Sequence, residues 1–334
     1  MTQNAPMQVN SPASASGDDV CPCCDVAVVD VVRWLSEITG RSLIDSARLL
    51  RAEASLIGHN VRDAARSFGL ESHSWNDRLL EFYASTDAFL FETAAWNACQ
   101  WKAKIRRTVC RMLSRHIPAG SRVLCFGDGM GFDSASVRRA GYETVCFELS
   151  GPCLKFAQRL FDSHKIDVTI CTDTKPFADE SFDAIVCLDV LEHVPDPPAV
   201  VSDFGRWLRP GGMLVAHAPF YHVDATRPTH LQSNKQFAGM VRQLYRNSGF
   251  HLQDVGGYLL DPVAFTRGEP ASPPALGTRV KTGIGQGLAF GARFLPLVPG
   301  LVASVVARPN PDWVSGLDSL LQNPDQPAPL RAAS

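Results

Sequence analysis

Residues 122–131, RVLCFGDGMG, constrain the fold more than any other stretch of the chain. The stretch begins with a short apolar run of the kind that a parallel strand buried on both faces shows. Gly127, Gly129 and Gly131 then stand at every second position, where they allow a sharp turn with positive φ and let a ligand approach the backbone. A helix is expected directly afterwards, from Phe132 to Arg139. This order of strand, glycine turn and helix is the context in which a glycine motif indicates a nucleotide cofactor.

The spacing of the glycines separates two classes of cofactor. A dinucleotide fingerprint, G-x-G-x-x-G, requires glycine at position 132, where this chain has Phe132. The pattern G-x-G-x-G after a strand resembles the first motif of class I S-adenosylmethionine (SAM)-dependent methyltransferases. The resemblance implies a methyl-transferring enzyme (EC 2.1.1) that uses SAM.

Two further segments extend the resemblance. Residues 143–147 predict a second strand, and Glu148 at its end could accept hydrogen bonds from both hydroxyls of a ribose. Residues 171–197 contain an Asp, a Pro-Phe, a Ser-Phe-Asp, a buried strand and Leu-Glu-His-Val in turn. That order is similar to the methyltransferases of ubiquinone and menaquinone biosynthesis, and the similarity spans residues 122–249. It implies a small-molecule acceptor, in secondary metabolism or cofactor biosynthesis.

The resemblance also implies which residues contact the cofactor. Glu148 would hold the ribose, Asp173 and Thr174 would lie beside the adenine, and Asp189 would close the far side. The full set is Gly127, Asp128, Gly129, Gly131, Glu148, Leu149, Asp173, Thr174, Leu188 and Asp189.

Cys125 departs from the family, which usually has an Asp at this position to fix the glycine turn and the methionine ammonium. Asp128 could replace part of that charge. If the missing carboxylate weakens binding, a Cys125→Asp variant should bind SAM more tightly.

Strands and helices alternate regularly after the glycine turn. This alternation predicts an α/β fold with a doubly wound, mainly parallel seven-stranded sheet, the Rossmann-like methyltransferase fold, with ligands beyond the carboxyl ends of the strands. Residues 25–116 read instead as consecutive helices and predict an N-terminal helical cap over the acceptor. Tyr83 and Trp96 of this region could line the acceptor pocket.

The chain divides into four expected regions. Residues 1–24 predict a disordered N-terminus that contains the motif CPCC, which either has no function or forms a labile metal or redox site. The helical cap over 25–116 follows. A methyltransferase domain is expected over 117–309, with an insertion at 261–300 that helps shape the acceptor pocket and with the last strand of the sheet at 301–309. Residues 310–334 predict a loose tail.

The composition of the chain bears on which partners the protein can bind and in which compartment it works. A net charge of -2 gives no argument for nucleic-acid binding, and the apolar stretch over 284–300 is interrupted by Arg293, Pro296 and Pro299, so no stable membrane span is expected. The ten cysteines are scattered and several fall in expected buried strands, which favours a reducing, cytoplasmic location. The oligomeric state is left open.

Methyl transfer from a sulfonium needs an acceptor held in line, and an oxygen, nitrogen or carbon acceptor can also need a base. His193, in the Leu-Glu-His-Val segment, and His222, after the expected fifth strand, are the candidate catalytic residues. The other histidines near His222 are irregularly spaced, so no metal site is predicted. Two alternatives stay open, a SAM-binding protein with altered or no methyl transfer and another nucleotide-dependent enzyme on the same fold.

Overall fold

The computed structural model describes residues 26–149, 151–258, 261–270, 272–295 and 297–323. Six helices precede the first strand, in agreement with the expectation for residues 25–116. They are α1 (Val28–Thr39), α2 (Leu43–Ser55), α3 (His59–Phe68), α4 (Asp77–Ser85), α5 (Ala88–Asn97) and α6 (Gln100–His116).

One seven-stranded sheet forms the centre of the molecule. Its strands are β1 (Arg122–Phe126), β2 (Glu143–Phe147), β3 (Thr169–Cys171), β4 (Phe182–Leu188), β5 (Leu208–His217), β6 (Phe250–Val255) and β7 (Val263–Arg267). The strand order is β3-β2-β1-β4-β5-β7-β6, and β7 runs antiparallel to both of its neighbours while the pairs from β3 to β5 are parallel. The predicted doubly wound, mainly parallel sheet is therefore confirmed.

Helices cover both faces of the sheet, so its strands are buried on both sides. They include α7 (Phe132–Arg139), α8 (Pro152–His164), α9 (Pro197–Trp207) and α10 (Val241–Arg246), with a 3₁₀ helix at Gln232–Phe237. Successive side chains of β1 enter different clusters: Leu124 packs with one core cluster, whereas Val123 and Cys125 pack with another. This two-sided burial explains the apolar run before the glycine turn.

The C-terminal region differs from the expectation in the position of the last strand. Residues 301–309 were expected to be that strand, but residues 301–306 belong to α12 (Leu297–Val306), which follows α11 (Leu276–Ala292). The last strand is instead β7, inside the expected insertion at 261–300. β7 pairs with Met213–Ala216 of β5 on one side and with β6 on the other, so the position in the sheet is filled before the chain reaches α12.

The expectation of a loose tail at 310–334 is also wrong for the part that the structure describes. Residues 311–322 form α13 (Pro311–Gln322), which begins with Pro311 and is capped by the Asn310 side chain accepting from the Asp312 amide. Leu317 is fully buried against the first helices, and Arg51 Nε lies 2.7 Å from Asp318 Oδ1. The CPCC motif and residues 324–334 lie outside the described residues.

No helix among the described residues is long and apolar enough to cross a bilayer.

Candidate active site

The carboxyl ends of β1, β4 and β5 meet α5, α6 and α12 around one cavity of about 220 Å³. Ligands in sheets of this kind lie at this edge. The lining contains eight residues that the sequence indicates, five of them expected at the cofactor, and several that it does not indicate. The residues used below are Gly127, Asp128, Gly129, Leu188, Asp189, His193, His217 and His222 from the sheet side, with Trp96, Lys102, Asp133, Val302 and Val306 around them.

The glycine turn has the predicted backbone conformation, with φ of 71° at Gly127, 66° at Gly129 and 81° at Gly131. The three glycines differ in what a side chain would meet. A Cβ on Gly127 would lie 2.6 Å from Val190, and one on Gly131 would lie 2.7 Å from Phe161, so both positions are closed by protein. On Gly129 the nearest atom would be 3.6 Å away. Among the three, Gly129 is therefore the position that leaves room for a ligand.

Two acids hold the glycine turn through backbone amides. Glu148 accepts from the Gly129 amide at 2.6 Å and from the Leu149 amide at 3.0 Å. Asp128 accepts from the Asp133 amide at 3.0 Å and the Ser134 amide at 2.6 Å. Burial raises the pKa of Glu148 to about 7, and burial together with the charge of Asp133 raises the pKa of Asp128 to about 6.

Five of the residues expected at the cofactor lie outside the cavity lining, namely Gly131, Glu148, Leu149, Asp173 and Thr174. Leu149 is 65% exposed at the end of β2, and Asp173 and Thr174 follow β3, where Asp173 accepts from the Lys175 amide at 2.9 Å. That hydrogen bond lowers the pKa of Asp173. The contact of Leu149, Asp173 and Thr174 with the adenosine part of the cofactor stays a prediction.

Asp189 joins the sheet to the helical cap. Its carboxylate accepts from Trp96 Nε1 at 3.0 Å, Lys102 Nζ at 3.2 Å and His217 Nδ1 at 2.6 Å. Burial alone would raise the pKa of Asp189, but Lys102 and His217 outweigh it and hold that pKa well below its usual range. Asp189 also has a φ of 60°, a conformation that side chains other than glycine rarely adopt and that clusters at functional sites.

The two cations of α6 nearest this site are buried, although the sequence favours a solvated basic face for that helix. Lys102 Nζ lies 3.1 Å from Asp133 and 3.2 Å from Asp189, and Arg106 lies 3.7 Å from Asp133. Burial lowers the pKa of Lys102, but the two carboxylates overcome this and raise it. Two cations therefore face two carboxylates, and the cluster carries no net charge.

Both candidate catalytic histidines line the cavity. The Nδ1 of His193 lies 3.2 Å from the Thr229 carbonyl, which can only accept, so the neutral ring carries its proton on Nδ1. Burial lowers the pKa of His193 to about 4. The Nε2 of His222 lies 3.3 Å from Asp224 Oδ2, and the other oxygen of Asp224 accepts from the Thr226 amide and hydroxyl at 2.8 and 2.6 Å.

One group of side chains has the ligand types of a divalent cation site, although the sequence predicts no metal. Ligand atoms of Glu192, His193 and His230 all lie within 4.8 Å of one another, and Glu192 Oε2 has no hydrogen-bond partner. Burial raises the pKa of Glu192 well above its usual value.

Comparison with known proteins decides the family. A family model described as a methyltransferase domain matches residues 124–216. A ubiquinone biosynthesis O-methyltransferase from Xanthomonas axonopodis pv. citri (strain 306) is 30% identical over 164 residues, and the match covers 43% of this chain and 69% of that relative. The chain belongs to the class I SAM-dependent methyltransferases. SAM is therefore its cofactor, as the glycine spacing predicts.

Solved structures similar to this methyltransferase have low sequence identity to it and low TM-scores. The N-methyltransferase NodS from Bradyrhizobium japonicum is 16% identical, with a TM-score of 0.43 and coverage of 57% of this chain and 98% of that chain. The 1,6-didemethyltoxoflavin-N1-methyltransferase from Burkholderia thailandensis is 17% identical, with a TM-score of 0.38 and coverage of 51% and 81%. Both were solved with S-adenosylhomocysteine. At these TM-scores the likeness adds nothing to the sequence relationship.

The residues around the glycine turn of the methyltransferase fit SAM. Gly129 leaves open the space that a Cβ would fill. Asp133 lines the same cavity, and its buried Oδ1 accepts no hydrogen bond and has only the 3.7 Å ion pair with Arg106, so it could receive the methionine ammonium that the missing acid at position 125 usually helps to hold. Cys125 itself is buried, and burial raises the pKa of its thiol well above the usual value.

The cap of the methyltransferase lines the cavity partly as expected. Trp96 does line it, but Tyr83 lies behind the lining, stacked on Phe89 with its hydroxyl 3.3 Å from His193 Nδ1. The C-terminal wall comes from Val302 and Val306 of α12 rather than from the expected insertion at 261–300. Among the described residues, none within 261–300 lines this cavity.

Proposed function

We propose that this methyltransferase transfers a methyl group to a hydroxyl of a small-molecule acceptor (EC 2.1.1). The observation that carries the proposal is the single cavity that reaches from Gly129 and Asp133 on the cofactor side to His193, His217 and His222 on the other. A hydroxyl acceptor is favoured because these histidines offer a base beside the cofactor and because the relative from Xanthomonas is an O-methyltransferase by name.

The environments of the three histidines differ in how well they support a base. His193 has a pKa of about 4 because burial disfavours its charged form, so it binds a proton weakly. His217 is paired with Asp189, but Lys102 lies 3.2 Å from the same carboxylate and cancels its charge. Asp224, whose Oδ2 lies 3.3 Å from His222 Nε2, receives its side-chain hydrogen bonds from the neutral Thr226. We therefore assign His222 as the base, and Asp224 as the positioning residue that stabilises the protonated ring.

These contacts suggest a role for each group in the proposed reaction. Bound SAM supplies an electrophilic methyl group on its sulfonium. The ring of His222 directs Nε2 toward Asp224, which leaves Nδ1 with the lone pair that takes the hydroxyl proton. Trp96 and the apolar side chains of Val302 and Val306 enclose the acceptor and exclude water, so that positioning supplies much of the rate.

Turnover of labelled SAM with a panel of phenols and catechols tests this assignment. The variant His222→Gln should lose at least about a hundredfold in turnover, at unchanged SAM affinity and melting temperature, because a general base contributes roughly 10²–10⁴-fold. The variants His193→Gln and His217→Gln serve as controls, and each should lose much less. If all three keep most of their activity, the acceptor needs no protein base and is a thiol, a neutral amine or an oxygen already deprotonated.

The grouping of Glu192, His193 and His230 favours a second candidate, a methyl transfer to a metal-bound hydroxyl. Dialysis against EDTA separates the two candidates. With His222 as the base, activity survives dialysis, whereas loss of activity that Mg²⁺ or Zn²⁺ restores would support the second. If labelled SAM gives no product with any acceptor, the remaining alternative is SAM binding without methyl transfer.

We also propose that the protein works in the cytoplasm and that residues 25–116 form a cap on a methyltransferase domain beginning near residue 117. All seven cysteines that the structure describes are free thiols, which suits a reducing compartment. Cell fractionation tests the location, and limited proteolysis near residue 117 tests the boundary.

A further inference from the structure

Helix α11 exposes large apolar residues to solvent, unlike an ordinary surface helix. The residues that it buries are small or polar, namely Thr282, Gly285, Ala289 and Ala292. Its large apolar residues are exposed instead: Leu276 by 74%, Val280 by 50%, Ile284 by 46% and Leu288 by 52%. A helix of a globular domain normally turns its large apolar side chains toward the core. The exposed apolar stripe of α11 is therefore not explained by packing within the part of the chain that the structure describes.

Small residues on the inner face let α11 approach the protein closely. A Cβ on Gly285 would lie 1.9 Å from the Tyr258 carbonyl oxygen, and the Cβ of Phe290 would lie 2.5 Å from a Cβ built on Gly239. The side chain of Gln286 accepts from the Val241 amide at 2.9 Å. These contacts fix the orientation of the helix, so the stripe is held outward.

The exposed apolar surface continues past the end of α11. Phe290 is exposed by 46%, Phe294 by 64%, Leu295 by 54%, and Leu301 and Val305 of α12 by 65% and 63%. We call these residues, together with Leu276, Val280, Ile284 and Leu288, the apolar patch. Val302 and Val306 of α12 line the cavity, so the patch borders the wall of the active site.

The charged residues of the segment that carries the patch have one sign. The sequence between Glu269 and Asp312 contains no acidic residue, but it does contain Arg279, Lys281, Arg293 and Arg308. With about 100° per residue on an ideal helix, Arg279 and Lys281 lie on opposite flanks of the stripe. Both are exposed. An apolar stripe between two cationic flanks is the pattern of helices that lie in the interface of a bilayer.

We propose that α11 and α12 dock the protein on the surface of an anionic bilayer, with the apolar patch in the interface and the cations against the headgroups. This goes beyond the proposed function and does not depend on it. A second copy of the chain fits less well, because a symmetric contact through this patch would bring like charges together. Each cation near an anionic surface contributes roughly a fivefold gain in affinity.

Co-sedimentation of the full chain with vesicles tests the proposal without any acceptor or methyl transfer. One set of vesicles contains phosphatidylcholine alone, and the other contains phosphatidylcholine with a minority of phosphatidylglycerol. The wild type should bind the anionic vesicles, and added salt should weaken the binding. The variant Leu288→Gln should bind about tenfold less, since a buried leucine contributes at least that much, and Arg279→Gln should bind about fivefold less. Both variants should keep the wild-type melting temperature.

Leu80→Gln is the matched control, because Leu80 is 48% exposed on α4, outside the patch. It should bind vesicles like the wild type. Equal binding to both vesicle types, binding to neither, or unchanged binding of Leu288→Gln would each overturn the proposal. A lipid-free dimer that Leu288→Gln dissociates would also overturn it, and would show that a second copy covers the patch.

Discussion

Glu148 gives the site a pH dependence that can be measured. Its pKa of about 7 in the folded protein means that it ionises between about pH 6 and about pH 8. If the ionised carboxylate holds the ribose, SAM affinity should rise with pH through this range and then level off. Titration calorimetry at several pH values measures this. The variant Glu148→Gln should remove the dependence, whereas an equal slope in both proteins would assign the titration to another group.

Single residues of the site divide into those with a local sequence signal and those without one. The positive φ of the three glycines, the acid at the end of β2 and the histidines after β4 and β5 could all be predicted from local patterns. Lys102 and Asp133 could not, because their role depends on a contact between α6 and α7 that no local pattern encodes. The nearest signal was the pair Lys102 and Arg106, four residues apart on a helix that also carries apolar residues.

The raised pKa of Glu148 has the opposite effect on the stability of the fold. The folded pKa of Glu148 lies above the usual value of 4.5, so the folded state binds more protons than the unfolded state between these values. The contribution of Glu148 to stability is therefore fully present below pH 4.5 and is lost as the pH rises through about 7. Gln is a neutral isostere of the protonated acid, so in denaturant titrations the wild type and Glu148→Gln should be similar below pH 4.5, and the wild type should become less stable than the variant as the pH rises through about 7.

Replacing Cys125 with the Asp that the family usually has at this position is expected to destabilise the protein. The sequence alone suggested that Cys125→Asp would tighten SAM binding, but the thiol is fully buried and the charges of Asp128 and Asp133 already act on it. A third carboxylate there should destabilise the fold by a few kcal/mol, because a buried charge without a partner is costly. Chemical denaturation measures this, with Cys125→Ser as the uncharged control. A variant that is as stable as the control and binds SAM more tightly would show that the original expectation was right.

Among the elements, local patterns predicted the glycine turn with its flanking strand and helix and the alternation that builds the sheet. They did not predict the C-terminal elements. The run of residues 297–306 is apolar throughout, and a short apolar run does not distinguish a buried strand from a helix. α13 was missed because residues 310–334 carry several prolines, although Pro311 and Asn310 together are a helix-start signal.

α13 should contribute to the stability of the whole protein. Leu317 is fully buried, with 0% of its surface exposed, in the core that α13 forms with α1 and α2. Leu317→Ala should therefore lower the free energy of unfolding by roughly 2–5 kcal/mol. Leu43→Ala, at a leucine that is 50% exposed, is the control and should cost much less. Denaturant titration measures both, and equal losses would mean that α13 is not part of the cooperative core.

For the whole molecule, the buried cluster of Lys102, Arg106, Asp133 and Asp189 ties the helical cap to the sheet at the cavity. Lys102→Met leaves two buried carboxylates short of a partner and should destabilise the protein by roughly 3–5 kcal/mol. Lys175→Met removes an exposed ion pair with Asp173 and should leave the free energy of unfolding close to the wild-type value. Unfolding curves compare the two, and a Lys102 variant as stable as the Lys175 variant would show that the cluster does not hold the cap.

Titration calorimetry of SAM and of NAD into the wild type and Glu148→Ala tests the central claim most directly, namely that the cavity beside Gly129 is a SAM site. The wild type should bind SAM and not NAD. Glu148→Ala should keep its fold and bind SAM at least about tenfold more weakly, because hydrogen bonds to a charged group contribute about 1.5–3 kcal/mol. Binding of NAD in place of SAM, or unchanged SAM affinity in a folded Glu148→Ala variant, would contradict the account.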